Sequence, residues 1–126
     1  MIIGRVAKHP DEVRRWIADF GEWLDDGEVV ESITTPEVDL LPAAWSGPWP
    51  AAPEPQQIAL LPDDPTPLAT VSSEVAAEGR YVTVFYDGGT DGNRYVLSYT
   101  ATGSSGRTKV VAIEVQATAS SVELLA

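Results

Sequence analysis

The chain has 126 residues and no cysteine, which suits one domain of common size with a modest core and excludes disulfides and thiolate metal sites as fasteners. Its 19 acidic against 8 basic residues give a formal charge of −11, and every lysine and arginine lies at or before Arg15 or at or after Arg80. An acidic middle without local compensation repels phosphate backbones and speaks against nucleic-acid binding; it keeps a protein in solution or meets a basic partner surface.

The start, Met1-Ile-Ile-Gly-Arg-Val-Ala-Lys8, has too short an apolar stretch for a secretory signal. No run approaches the roughly 20 apolar residues that span a bilayer. A soluble protein made in a reducing cytoplasm, without a membrane partner, is the expectation. Lys8-His-Pro-Asp-Glu-Val13 then offers a proline and two acids where a helix can begin. Val13, Trp16, Ile17 and Phe20 have helical spacing and predict a short helix from about Asp11 to Leu24, ended by Gly27. The same stretch also alternates in the manner of a strand over Val13 to Asp19. Glu28 to Thr35 is a cleaner strand, bounded by Asp26-Gly27 and Pro36.

From Pro36 to Pro67 the composition changes: all the prolines but Pro10 lie here, together with Trp45 and Trp49. Proline lacks the amide hydrogen and fixes φ, so a continuous helix or central strand is excluded. The expectation is an extended, partly polyproline-like loop over the surface, with one short edge strand at Gln56 to Leu61. Leu68 to Glu74 returns to strand-like alternation, and Ala76-Ala-Glu-Gly79 supplies a turn. Three runs follow, Tyr81 to Tyr86, Tyr95 to Thr102 and Thr108 to Gln116, separated by Asp87-Gly-Gly-Thr-Asp-Gly-Asn93 and Gly103-Ser-Ser-Gly106. Rich in β-branched and aromatic residues and ended by glycine turns, they read as an antiparallel β-meander. Val82, Val84 and Tyr86 alternate there with Tyr81, Thr83 and Phe85. Ala117 to Ala126 reads as a free tail or a strand donated to a neighbour.

Catalytic chemistry needs groups of suitable pKa within reach of one another, and few are on offer. His9 is the only histidine and reads as a surface residue. Gly103-Ser-Ser-Gly106 lacks the spacing of a nucleophile elbow and reads as a turn. The adjacent pairs Asp25-Asp26 and Asp63-Asp64 have diverging side chains in most backbone conformations. Asp87, Asp91 and Asn93 are a weak calcium candidate that does not match the EF-hand loop, and the same residues supply ordinary turn chemistry. No cofactor is expected. Trp16 and Trp23 lie in patterned sequence and are core candidates. Trp45 and Trp49, on the proline-rich loop, either cap an open edge of the core or anchor a partner.

Lys8-x-Pro10-Asp-Glu-Val13, Asp19-Phe-x-x-Trp23-Leu-x-x-Gly27-Glu-x-Val30-x-Ser32, Gly88-Gly-Thr-x-Gly92-x-x-Tyr95 and Gly106-Arg107 form an ordered set. In it the chain resembles a family of small tailed-phage and prophage structural proteins, the phage fibre-tail adaptors. The resemblance covers roughly residues 8 to 35 and 80 to 116. It implies a mainly β fold, an immunoglobulin-like or fibronectin-like antiparallel sandwich of about seven strands, in which Val13 to Asp19 is the first strand. The chain reads as one domain over 1–126, with a proline-rich insertion at 36–67, on which the resemblance is silent, and a tail at 117–126.

The function implied is that of a non-enzymatic virion protein, made in the host cytoplasm and present in several copies in a symmetric assembly. It would bridge the tail and a receptor-binding fibre. Its partners would be other phage structural proteins of the tail or fibre, or else of the portal, connector or capsid. The interface candidates are Leu40, Leu41, Trp45, Trp49, Leu124 and Leu125. The rival readings are a capsid decoration or head-tail completion protein, and a carbohydrate-binding module that uses Trp45 and Trp49. Stoichiometry matching tail or capsid symmetry, and sugar binding lost on Trp45→Ala, separate them.

Overall fold

A computed structural model describes residues 2–42 and 61–119. These hold eight strands: β1 (Ile2–Lys8), β2 (Arg14–Asp19), β3 (Val30–Ile33), β4 (Glu37–Leu41), β5 (Ala69–Val75), β6 (Tyr81–Asp87), β7 (Arg94–Gly103) and β8 (Thr108–Ala117). They form two sheets. A three-stranded sheet has the order β2-β6-β5; a five-stranded sheet has the order β1-β8-β7, with β3 and β4 both paired to the far side of β7. All pairings are antiparallel except β1 with β8.

The period-two pattern puts one face of each sheet against the other. Trp16 and Ala18 of β2 with Val82, Val84 and Tyr86 of β6 meet Tyr95, Leu97, Tyr99 and Ala101 of β7 and Val111, Ile113, Val115 and Ala117 of β8. The Trp16 and Tyr99 rings lie 5.2 Å apart across this core. Phe20 and Leu68 close it at the strand ends, and Val6, Trp23, Val38 and Leu40 pack against its rim.

One pair of alternatives is decided and three expectations need correction. Residues 14–19 are strand, as their alternation and the resemblance implied, and not helix: Trp16, Ala18 and Phe20 are buried at alternate positions, while Val13 and Ile17, which completed the helical pattern, are 58% and 48% exposed. This strand is also the second and not the first, because β1 precedes it. The last three strands are no meander. β6 pairs with β2 and β5, so the Asp87–Asn93 connection crosses from one sheet to the other, and only β7 and β8 form a hairpin. Within 36–67, finally, Glu37–Leu41 is a strand; its flanking prolines, Pro36 and Pro42, stand outside the ladder, where a missing amide costs nothing.

The family-like motifs pair with one another across the chain and lock the ends of the sandwich. At one end the buried Lys8 donates from Nζ to the carbonyls of His9 (2.8 Å) and Gly88 (2.7 Å). Burial pushes its ammonium below the ordinary value, an effect that Asp87 opposes. Gly88 has φ +82 and would set a Cβ 2.5 Å from the Pro67 carbonyl oxygen, so side chains are excluded there on two counts. Beside it, the Tyr95 hydroxyl donates to Asp64 (2.6 Å) and accepts from the Thr90 amide (2.9 Å).

At the other end Asp19 holds Arg80 through two bonds of 2.8 and 3.0 Å. Arg107 bonds Glu28, donates to the Trp23 carbonyl (2.8 Å) and lies 4.7 Å above the Trp23 ring. The Arg107 and Ser105 hydrogen bonds hold the Glu28 carboxyl down at about 2, and Arg80 does the same for Asp19.

Candidate functional site

The charged residues of the sequence motifs are thus occupied in holding the fold. His9 is partly buried, not free at the surface, and its Nδ1 accepts from the Asp11 amide. The calcium candidates do not converge: Asp87 accepts from the Gly88 amide, Asp91 from the Ala119 amide, and Asn93 donates to the Asp63 carbonyl. Ser104 and Ser105 serve the turn, accepting from the Val29 amide and donating to Glu28 respectively. Among the described residues no group of three or more His, Cys, Asp or Glu is placed to hold a metal ion.

The predicted interface residues divide. Leu40 faces the main core, and Leu41, 2% exposed, packs with Val96 and Ala112 on the outer side of the five-stranded sheet. Leu41 is therefore buried and Leu40 half-buried within their own chain, contrary to their expected use as partner anchors. Trp45, Trp49, Leu124 and Leu125 lie outside the described residues, as does the edge strand at Gln56–Leu61 except for Leu61, which is exposed and not in a strand.

The surface that sequence reasoning missed is the outer face of the three-stranded sheet. Register places Arg15 opposite Phe85 and Phe85 opposite Ser72; one step on, Ile17 faces Thr83, which faces Glu74. Ile17 and Phe85 are thus diagonal neighbours on adjacent strands, close enough to form one apolar spot. The β5 bulge between Thr70 and Ser72 adds Val71. Ile17 is 48%, Phe85 37% and Val71 60% exposed. Arg15, exposed and opposite Phe85, borders the spot on one side, and Glu74, opposite Thr83, on the other, whereas Arg14 turns the other way and bonds the Ala7 carbonyl (3.1 Å). Ile17 carried a readable signal, being apolar at the parity opposite to Trp16, Ala18 and Phe20. Phe85 did not stand out, because the run from Tyr81 to Tyr86 is almost continuously apolar and aromatic.

Covering the exposed parts of Ile17, Val71 and Phe85 would contribute roughly 1 kcal/mol each, the scale of anchors in a protein interface.

The chain is thus a two-sheet β protein with an apolar spot exposed on its smaller sheet. Residues 8–116 match the family described as podophage GP4 fiber-tail adaptor protein gp77, and the chain belongs to that family. By its name, this is a family of phage tail-fibre adaptors, structural proteins of the virion. No curated protein was found to match the chain.

Proposed function

We propose that this protein acts without catalysis as a bridge between the phage tail and a receptor-binding fibre, several copies standing in a symmetric assembly. The observation that carries this reading is the family match over residues 8–116. We read the fold as an immunoglobulin-like sandwich. Three strands ordered β2-β6-β5 face a sheet in which a parallel first strand flanks the final hairpin, and this order supports that reading. A sandwich of this kind hosts many activities, so the role is argued from the surface and the family and not from the fold.

The outer face of the small sheet supplies the contact. Ile17, Val71 and Phe85 anchor the partner, and Arg15 and Glu74 choose its orientation by charge.

The test is assembly of particles from a phage whose adaptor carries Ile17→Asp together with Phe85→Asp. Both positions face solvent, so the chain folds as before. Tails scored by electron microscopy should then lack the fibre, or lack the adaptor itself. Normal fibre occupancy with the variant refutes the surface; adaptor found on capsids at capsid copy number refutes the role.

A further inference from the structure

β8 is not paired over its full length on both sides. β7 accompanies it from Thr108 to Gln116, whereas β1 joins the other side only at Ile2, opposite Ala112, and runs to Lys8, opposite Ala117. Among the described residues, no strand lies beside Thr108–Val111 in the lane that β1 occupies further on. The Gly103 amide bonds the Arg107 carbonyl, which makes these two a hydrogen-bonded pair. Counting by twos along the ladder, Lys109 and Val111 turn their backbone groups to β7, and Thr108 and Val110 turn theirs into the open lane.

Beside this lane a cleft of about 390 Å³ opens between β8 and the end of β2, with Ala18, Phe20, Trp23 and Val111 as its floor and Glu22 and Lys109 at its mouth. Unpaired strand groups next to an apolar slot are the two requirements for strand addition: the ladder gives affinity and the slot receives alternate side chains.

We infer that the lane receives the C-terminal segment Val122-Glu-Leu-Leu125 of a second copy of this chain. The four positions Thr108–Val111 match its four residues in length. Alternation then puts Glu123 and Leu125 on the face of Lys109 and Val111, toward the slot, and Val122 and Leu124 on the other, beside Thr108 and the exposed Val110. Lys109, without an ion-pair partner among the described residues, gives the mouth a charge that suits Glu123.

Reach excludes the chain's own tail. Ala119 is bonded to Asp91 at the Gly88–Asn93 end, the opposite end of the sandwich. Val111 lies eight residues back along the strand, roughly 26 Å at about 3.3 Å per residue. Leu125 is six residues beyond Ala119 and extends at most about 22 Å.

A copy stacked head to tail has no such shortfall. Its tail leaves β8 at the Gly88–Asn93 end and enters the next copy at the Gly103–Arg107 end, parallel to β8 and in line with β1. Each copy then has a donor end and an acceptor end, so the contact builds rings or files and not closed pairs. It joins copies only, and it stands or falls separately from the choice of tail or fibre partner.

The chain has no cysteine, so Val110→Cys with Leu124→Cys can be trapped without background. Under oxidation the double variant should give a ladder of linked trimers and larger species, and each single variant dimers at most. Mixing gives a second test. Leu124→Asp spoils the donor and Val110→Pro the acceptor; each alone should be monomeric by light scattering, and together they should form a one-to-one dimer and nothing larger. Lys109→Glu, a surface change, replaces Val110→Pro if that variant loses its β-sheet circular dichroism. A linked monomer band, a chain that stays monomeric throughout, or multimers unaffected by Leu124→Asp would overturn the inference. So would a cleft that binds a fibre peptide while its variants leave self-association unchanged.

Discussion

The two sheets of this sandwich share one core and differ in what their outer faces do. The outer side of the five-stranded sheet is closed: Val96 and Ala112 are fully buried there with Leu41, and the buried Glu114 is held by Arg5 (3.1 Å) and Arg94 (3.3 Å). The three-stranded sheet leaves Ile17, Val71 and Phe85 in solvent. Exposed apolar side chains on a sheet are informative when they gather on one face, and here three gather on the smaller sheet while the larger shows Val110. The outer face of one sheet is largely committed to holding the chain together, while that of the other is free to meet a partner.

Substitutions on the two sheets should separate these roles. Leu97→Ala, at a fully buried position of β7, should cost about 2–5 kcal/mol in urea unfolding, from lost burial and the cavity left behind. An intermediate effect belongs to the corner where Asp19 meets Arg80 and Glu28 meets Arg107. Both carboxyls have folded values near 2, below their ordinary 3.8 and 4.5. Their contribution is therefore present above about pH 4.5 and is lost as the pH falls through about 2. The double variant Asp19→Asn, Glu28→Gln should flatten the fall of the urea midpoint across that window; an unchanged slope would show that these pairs do not hold the corner. Smallest of all, Phe85→Ser should move stability by no more than about 0.5 kcal/mol. A loss as large as that of Leu97→Ala would erase the distinction between the sheets.

Much of the fold was legible because burial follows period two in the later strands. Val82, Val84 and Tyr86 lie inward as their alternation implied. The reading failed where an apolar residue faces water. Ile17 supplied the third member of the helical pattern, and what made it misleading is what makes it a candidate contact. The meander failed for a different reason. Glycine turn chemistry announces a change of direction without saying which sheet the chain enters next, and Gly88 and Gly89 carry it across the end of the sandwich. β4 was hidden by its own flanking prolines, read as a bar to strands when they only bound one. Of the candidate site, only Ile17 left a trace, since surface exposure is a property of the packed sheet and not of any one segment.

The locks at the sandwich ends also govern when this protein can exist. Lys8 to Gly88, Asp19 to Arg80 and Glu28 to Arg107 join residues 80, 61 and 79 positions apart. β2, which carries Ile17, has no ladder until β6 arrives, because all six of its residues pair there. On a ribosome that delivers the chain from its N-terminus, the exposed face waits for β6, the Lys8 lock for Gly88 and the Glu28 lock for Arg107, and the opposing core strands β7 and β8 come last. A prematurely terminated chain would therefore present no partner surface, and synthesis to the last strands becomes a condition for entering a particle.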